Sequence, residues 1–500
     1  MNNLRLQRML IASVAALAAV WAGWQVAEGS YGGPALLAFV AALLVLAKWR
    51  VRPETALAGA ALFGYIIGNR GFAQLMLVPG LPSFVAELAL GGVLALILAR
   101  GALERRWPAR RDALNAVVTA WLVIGGARLM VDLRAQGWWA LRDSAVIYYA
   151  LYFFVGQELG SEPTARRQLL GVLAWSLALL APVFALSVAF PWFFLTHLIV
   201  QGVPMLMYKD DLVATMLAGG VFWFACKTTE GKDLPRRAAS GAALTGALAG
   251  AFFPLTRAAM AGLAMAAVWQ ALGRRWRELG TVAIMLAVLA AATFGGELLA
   301  RRPLEQTEVY RVAEYARSIL DLDANGAEHS YPSAGNTKGR PDDNNQFRLV
   351  WWKTIASDTL REHPFFGAGF GYDLADRFVE AYGLEADTDF NVRSPHSIVF
   401  TMFGRMGFVG LALLAALGAC MAWRTWKAAH RAGEELGLWC FCWVVFISAC
   451  FGVVLEGPMG AVVFWTVLGL ASTAGAAKPL AGAEKTAAPE EALHAAEEKV

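Results

Sequence analysis

The sequence predicts an all-α polytopic membrane protein, and three observations carry that prediction. Of 500 residues, 58% are hydrophobic and only 16% are charged, where a soluble domain holds about 25% charged residues. The mean hydropathy is +0.49. Apolar stretches of bilayer-spanning length recur along the chain, and Lys and Arg gather in alternate loops between them.

The spans follow in order. Apolar segments lie near 9–27, 34–48, 55–69, 83–99, 113–129, 144–160, 168–190, 210–226, 238–253, 257–272, 279–298, 397–423, 437–455 and 459–475, which is about 12–14 transmembrane helices. The formal net charge of +4 says little as a sum, but its distribution is informative. With the N-terminus cytoplasmic, six inner loops hold 20 cations and the short outer loops hold five, Arg70, Arg134, Arg142, Lys209 and Arg257. Both termini are therefore expected on the cytoplasmic side. The first span, after Arg5 and Arg8, reads as an uncleaved anchor. The five Cys lie in spans or at their cytoplasmic ends without metal-site company, so they read as packing residues.

Four regions result: transmembrane helices over 1–298, an outer loop over 299–395, transmembrane helices over 396–476 and a disordered tail over 477–500 rich in Ala, Glu and Pro. The loop is net acidic, with 16 Asp and Glu against 11 Lys and Arg. It is expected to begin as a helix from Glu305 to Leu320 and to run as coil over 323–345. A second helix is expected from Gln346 to Leu360, with Phe347, Val350, Trp351, Thr354 and Ile355 as an apolar stripe suited to a membrane surface. The alternate glycines Gly367, Gly369 and Gly371 read as a tight turn, since no strand precedes them as a nucleotide fold would require.

Ser394-Pro395-His396-Ser397 opens the next apolar segment. Ser is favoured as a helix cap and Pro at the first helical position, so His396 is expected in the first turn. The positive end of the helix dipole would keep it neutral there, beside backbone N–H groups that attract phosphate. At 100° per residue, Gly407 falls about 20° from His396 and Gly410 about 40° to the other side, so a glycine stripe is expected to seat a neighbouring helix beneath the imidazole. A bland alternative is a capped helix start whose His satisfies a carbonyl. Arg257, at the outer start of a span, has a membrane-anchor reading beside a functional one, and Arg348 a solvated-face reading. Arg405, deep in the span, requires an internal acidic or carbonyl partner. Lys209-Asp210-Asp211, Tyr208, Trp138, Trp139 and His197 are weaker outer candidates. Asp373, Asp376 and Glu380 fit a solvated face better than a metal site.

These residues carry a resemblance. His396-Ser397, nine residues, then Gly407-Phe-Val-Gly410 is similar to the motif of the O-antigen ligase and polymerase superfamily. Arg348-Leu-Val-Trp-Trp-Lys353, the segment from His363 to Gly371, and Pro254-Leu-Thr-Arg257-Ala-Ala resemble other parts of that superfamily. The resemblance is specific from about 254 to 475 and architectural before that. Arg405 departs from the pattern, standing where many members have an acidic residue.

The resemblance implies a GT-C type, metal-independent membrane glycosyltransferase without cofactor. Its donor would be a glycan on undecaprenyl diphosphate and its acceptor the lipid A core or a growing glycan, at the periplasmic face of a bacterial inner membrane. It implies His396 as the residue that activates the acceptor hydroxyl, and Arg257 and Arg348 as holders of the diphosphate. Ser397, Lys353, Gly407 and Gly410 would be supporting residues, membrane lipids the surroundings, and no metal or nucleic acid a partner. A repeat-unit polymerase differs in acceptor only. A transporter or glycan flippase fits less well, because the candidate polar residues cluster at one face and no inverted repeat is visible.

Overall fold

The computed structural model describes residues 51–75, 85–104, 110–317 apart from Gln201, Lys232, Leu255 and Arg302, then 341–381, and 393–473 apart from Ala432. The expected spans near 9–27 and 34–48, the expected coil up to 340 and the tail from Lys478 lie outside the described residues, while 341–345, expected as coil, are helical.

The protein is an all-α polytopic membrane protein. Its helices are α1 (Pro53–Ile67), α2 (Asn69–Ala73), α3 (Val85–Leu103), α4 (Ala113–Gln136), α5 (Trp138–Asp143), α6 (Ala145–Tyr148), α7 (Leu151–Ser161), α8 (Pro163–Ala189), α9 (Pro191–Thr196), α10 (Asp210–Glu230), α11 (Leu234–Phe252), α12 (Arg257–Leu272) and α13 (Trp276–Leu299). They continue with α14 (Glu308–Arg317), α15 (Pro341–Glu362), α16 (Asp376–Ala381), α17 (Ile398–Ala429), α18 (Gly433–Cys450) and α19 (Pro458–Ser472). Two-residue strands, β1 (Ile199–Val200) and β2 (Val203–Pro204), form an antiparallel hairpin between α9 and α10.

Among the described residues seven helices, α3, α4, α8, α10, α13, α17 and α18, are long and apolar enough to cross a membrane. Helices α1, α11, α12 and α19 coincide with other expected spans and are shorter or less apolar. The expected span over 144–160 is broken into α6 and α7, with Tyr149 and Ala150 between them. Local chemistry starts several of these helices: Asp112 accepts from the Asn115 backbone N–H at 3.1 Å, Asp233 accepts from that of Arg236 at 3.0 Å, and Pro opens α8 and α19.

Helices α10 and α18 are the most enclosed of these seven and form the centre, packed on each other and on α12. Helix α13 is the opposite case. Its Ile284 and Val288 are more than 60% exposed, as an outward apolar face toward lipid requires. Ser448 of α18 donates to the Ala258 carbonyl of α12, tying the start of α12 to the end of the central helix.

In the loop, a short 3-10 turn (Leu304–Gln306) precedes α14, so the first expected helix is interrupted at Thr307. The second begins at Pro341, five residues earlier than expected, where the fixed φ of proline suits a first helical position. Its stripe does not lie on a membrane surface. Trp351 and Ile355 are buried against Leu374, Ala375 and Phe378, because the chain after Gly371 folds back over α15. The Trp351 ring stacks on Phe378 at 4.8 Å and its indole N–H donates to the Leu374 carbonyl. The side chain of Phe347 is outside those described.

Candidate functional site

Helix α17 is discontinuous. Gly407 has φ 59° and ψ −147°, which breaks the helical hydrogen-bond ladder and ends the phase relation on which the expected glycine stripe depends. The broken backbone is paired with the glycine turn. Ala368 and Gly369 N–H groups donate to the Gly404 and Arg405 carbonyls, and Phe408 and Val409 donate to the Pro364 and Phe365 carbonyls. A side chain at Gly407 would overlap the Pro364 and Phe365 backbone, so a loop strand occupies the space expected for a helix. Gly410 lies against the Met402 carbonyl and Met406 of its own helix.

Two carboxylates that sequence reasoning missed fasten this turn. Asp132 of α4, paired with Arg128 at 2.8 Å, accepts from the Phe370 N–H at 2.7 Å. Asp143, the last residue of α5, accepts from the Gly371 N–H at 3.2 Å and meets the Arg405 guanidinium at 2.9 Å. Asp143 is the internal acidic partner that Arg405, 3% exposed, requires. Arg393 extends the network, with Asp373 at 2.7 Å and the Gly371 carbonyl at 2.7 Å.

His396 is not in the first turn of α17. The helix begins at Ile398 with Ser397 in the cap position, and His396 precedes it in a left-handed conformation, φ 54°. Ser394 accepts from the His396 backbone N–H at 3.3 Å and does not cap the helix. The half-buried imidazole has its pKa lowered by causes other than the expected helix dipole. Burial first, then the cations Arg348 and Lys209, lower its pKa from 6.5 to about 4, against which Asp211 acts.

Arg257 and Arg348, 91 positions apart, line one cavity of about 160 Å³ with Asp211, Thr215, Thr256 and Phe451. Arg257 opens α12 with Thr256 as its cap residue. Arg348 donates to the Phe451 carbonyl at 2.7 Å, and burial first, then Arg257, lowers its pKa. Trp352, four residues on and so on the same helix face, donates to the Pro395 carbonyl at 2.8 Å and stacks on Phe400 at 4.9 Å. The helix that supplies Arg348 therefore also holds the turn carrying His396. Two guanidinium groups against one carboxylate make a cavity suited to an anion with two or more charges. Lys353 is exposed and does not line it; Ser397 is buried, and its carbonyl accepts from Thr401 N–H.

Lys209 and Asp211, weaker outer candidates in the sequence, are paired at 3.1 Å, and Asp211 lines the arginine cavity. Sequence reasoning missed Glu456. It accepts from Thr401 at 3.0 Å and is hydrogen-bonded to Ser394, so it anchors both sides of the His396 turn, while burial raises its pKa. A signal was available: Glu456 is the one charged residue between 436 and 472. Among the described residues no group of three or more His, Cys, Asp or Glu is placed to hold a metal ion.

Residues 242–415 match the family model described as O-antigen ligase, a segment that holds Arg257, Arg348, the glycine turn, His396 and the broken helix. This segment is similar to the O-antigen ligase family. The matched segment runs from within α11 to the middle of α17, while Asp211 of the arginine cavity, Asp132 and Asp143 beneath the glycine turn, and Glu456 beside His396 come from outside the matched residues. No curated protein matches the chain.

Proposed function

We propose that the protein is a metal-independent, O-antigen-ligase-like transferase that moves a glycan from undecaprenyl diphosphate to a hydroxyl of the lipid A core or another glycan, at the periplasmic face of a bacterial inner membrane. The observation that carries this reading is the joint lining of one cavity by Arg257 and Arg348, with the His396 turn bonded to the Arg348 helix. The asymmetry of loop cations supports the orientation.

In this reading the acceptor oxygen attacks the anomeric carbon, forming a new C–O bond as the bond to the diphosphate oxygen breaks. Undecaprenyl diphosphate leaves with the electron pair, its charge met by the two arginines, which take the part a divalent cation plays in other transferases. The acceptor proton passes to His396. An imidazole of pKa about 4 is neutral and available but weakly basic. A bound diphosphate offsets the Arg348 cation that depresses it, so its proton affinity rises when the donor is in place.

His396→Ala tests the reading. Turnover of detergent-purified protein with lipid-linked donor is expected to fall about a hundredfold or more, with melting temperature and undecaprenyl diphosphate binding retained. A folded variant with near-normal turnover rules out the catalytic role. Activity that is lost in EDTA and restored by magnesium rules out the metal-independent mechanism.

A further inference from the structure

A second and larger cavity, about 720 Å³, lies beside the His396 turn, with Glu456 at its wall. The loop from Phe451 to Gly457 separates it from the arginine cavity, since Phe451 and Val454 line one and Glu456 and Gly457 the other. The two differ in chemistry. The arginine cavity has two basic groups to one acid, whereas the larger one carries Arg70 and Arg142 against Glu87 and Glu456, with the rings of Trp138, Tyr148 and Tyr149. Balanced charge does not select an anion. Mixed carboxyl and guanidinium groups beside aromatic faces match a ring bearing many hydroxyls and apolar C–H faces.

Glu87 supplies the independent mark of a ligand. One of its carboxyl oxygens, Oε1, accepts from both Tyr148 at 3.0 Å and Tyr149 at 2.6 Å, which fixes the side chain at the cavity wall. The other, Oε2, is enclosed and has no protein hydrogen-bond partner. A buried acceptor with no donor costs free energy, and the cavity that Glu87 lines is where a donor can be supplied to this carboxylate. Trp138, more than half exposed, lines the same cavity.

We propose that this cavity is the acceptor-saccharide site, in which Glu87 accepts a hydrogen bond from a sugar hydroxyl and Trp138 stacks on the ring. Glu456, at the junction of the cavity and the His396 turn, marks where the reacting hydroxyl enters. The inference rests on the transferase reading and adds to it where the acceptor binds.

The test is binding, measured separately for two probes on purified full-length protein: rough lipopolysaccharide as the saccharide and undecaprenyl diphosphate as the anion. Glu87→Gln and Trp138→Ala are expected to weaken lipopolysaccharide binding about tenfold each, the scale of one lost hydrogen bond or stacking contact to a desolvated group, and to leave undecaprenyl diphosphate binding unchanged. Arg348→Ala is expected to do the reverse. Wild-type-like lipopolysaccharide binding by folded Glu87→Gln and Trp138→Ala, or no binding of it by the wild type, overturns the acceptor site. Failure of the wild type to bind undecaprenyl diphosphate overturns the transferase reading instead.

Discussion

Asp143 and Arg405 meet at 2.9 Å although one ends a short helix between spans and the other lies deep in α17, 262 positions later. The same carboxylate accepts from the Gly371 N–H, so one buried pair joins three segments: α5, the glycine turn and the broken helix. Removing Arg405 takes away the nearer of the two cations of this enclosed carboxylate and leaves Arg393 at 3.5 Å. Arg405→Ala is expected to destabilise the protein by about 3–5 kcal/mol. Arg405→Met with Asp143→Asn is expected to cost less than the two single changes summed, as a double-mutant cycle of melting temperatures will show.

Gly407 occupies a backbone region open to glycine, and its missing side chain makes room for the Pro364–Phe365 backbone. Gly407→Ala is expected to cost at least about 1–3 kcal/mol from backbone strain, and more from displacing the turn. Gly418→Ala, on the same helix, would meet Phe446 at an ordinary distance of 3.8 Å and is the matched control, expected to be near neutral. Thermal unfolding in detergent separates them.

His396 makes stability depend on pH in a definite direction. Its pKa is about 4 in the fold and near 6.5 unfolded, so between those values the unfolded chain binds the extra proton and stability rises with pH. The contribution is complete above pH 6.5 and is lost as pH falls from 6.5 through 4. His396→Gln is expected to flatten this part of the stability profile between pH 4.5 and 6.5, which denaturation at stepped pH measures.

Arg348 and Arg257 differ from lysines in geometry more than in charge. Arg348→Lys keeps a cation in the cavity and loses the planar fork, one arm of which is committed to the Phe451 carbonyl. Turnover is expected to fall on the order of tenfold or more for Arg348→Lys and for Arg257→Lys, with little change in melting temperature. Steady-state kinetics beside thermal unfolding checks both parts.

The membrane class, the positions of most spans that fall on described residues and the start of α12 at Arg257 were legible in the sequence, because hydrophobic runs, caps and prolines act within a few residues of where they stand. The resemblance carried by His396, Gly407 and Gly410 was legible for the same reason, as a short fixed spacing. What those residues do to the backbone was not. Helical phase assumes an unbroken ladder, and Gly407 leaves the ladder because a turn some forty residues earlier supplies the hydrogen bonds it gives up. Asp132 and Asp143 look like ordinary charged residues near span ends until Phe370, Gly371 and Arg405 are brought to them. The His396 pKa is lowered by burial and by neighbouring cations from α15 and the segment before α10, where the sequence pointed to the helix end. Tertiary structure alone decided these points, since the free energy of a buried charge or an open backbone group depends on partners that arrive from distant positions, and local sequence pattern carries no record of them.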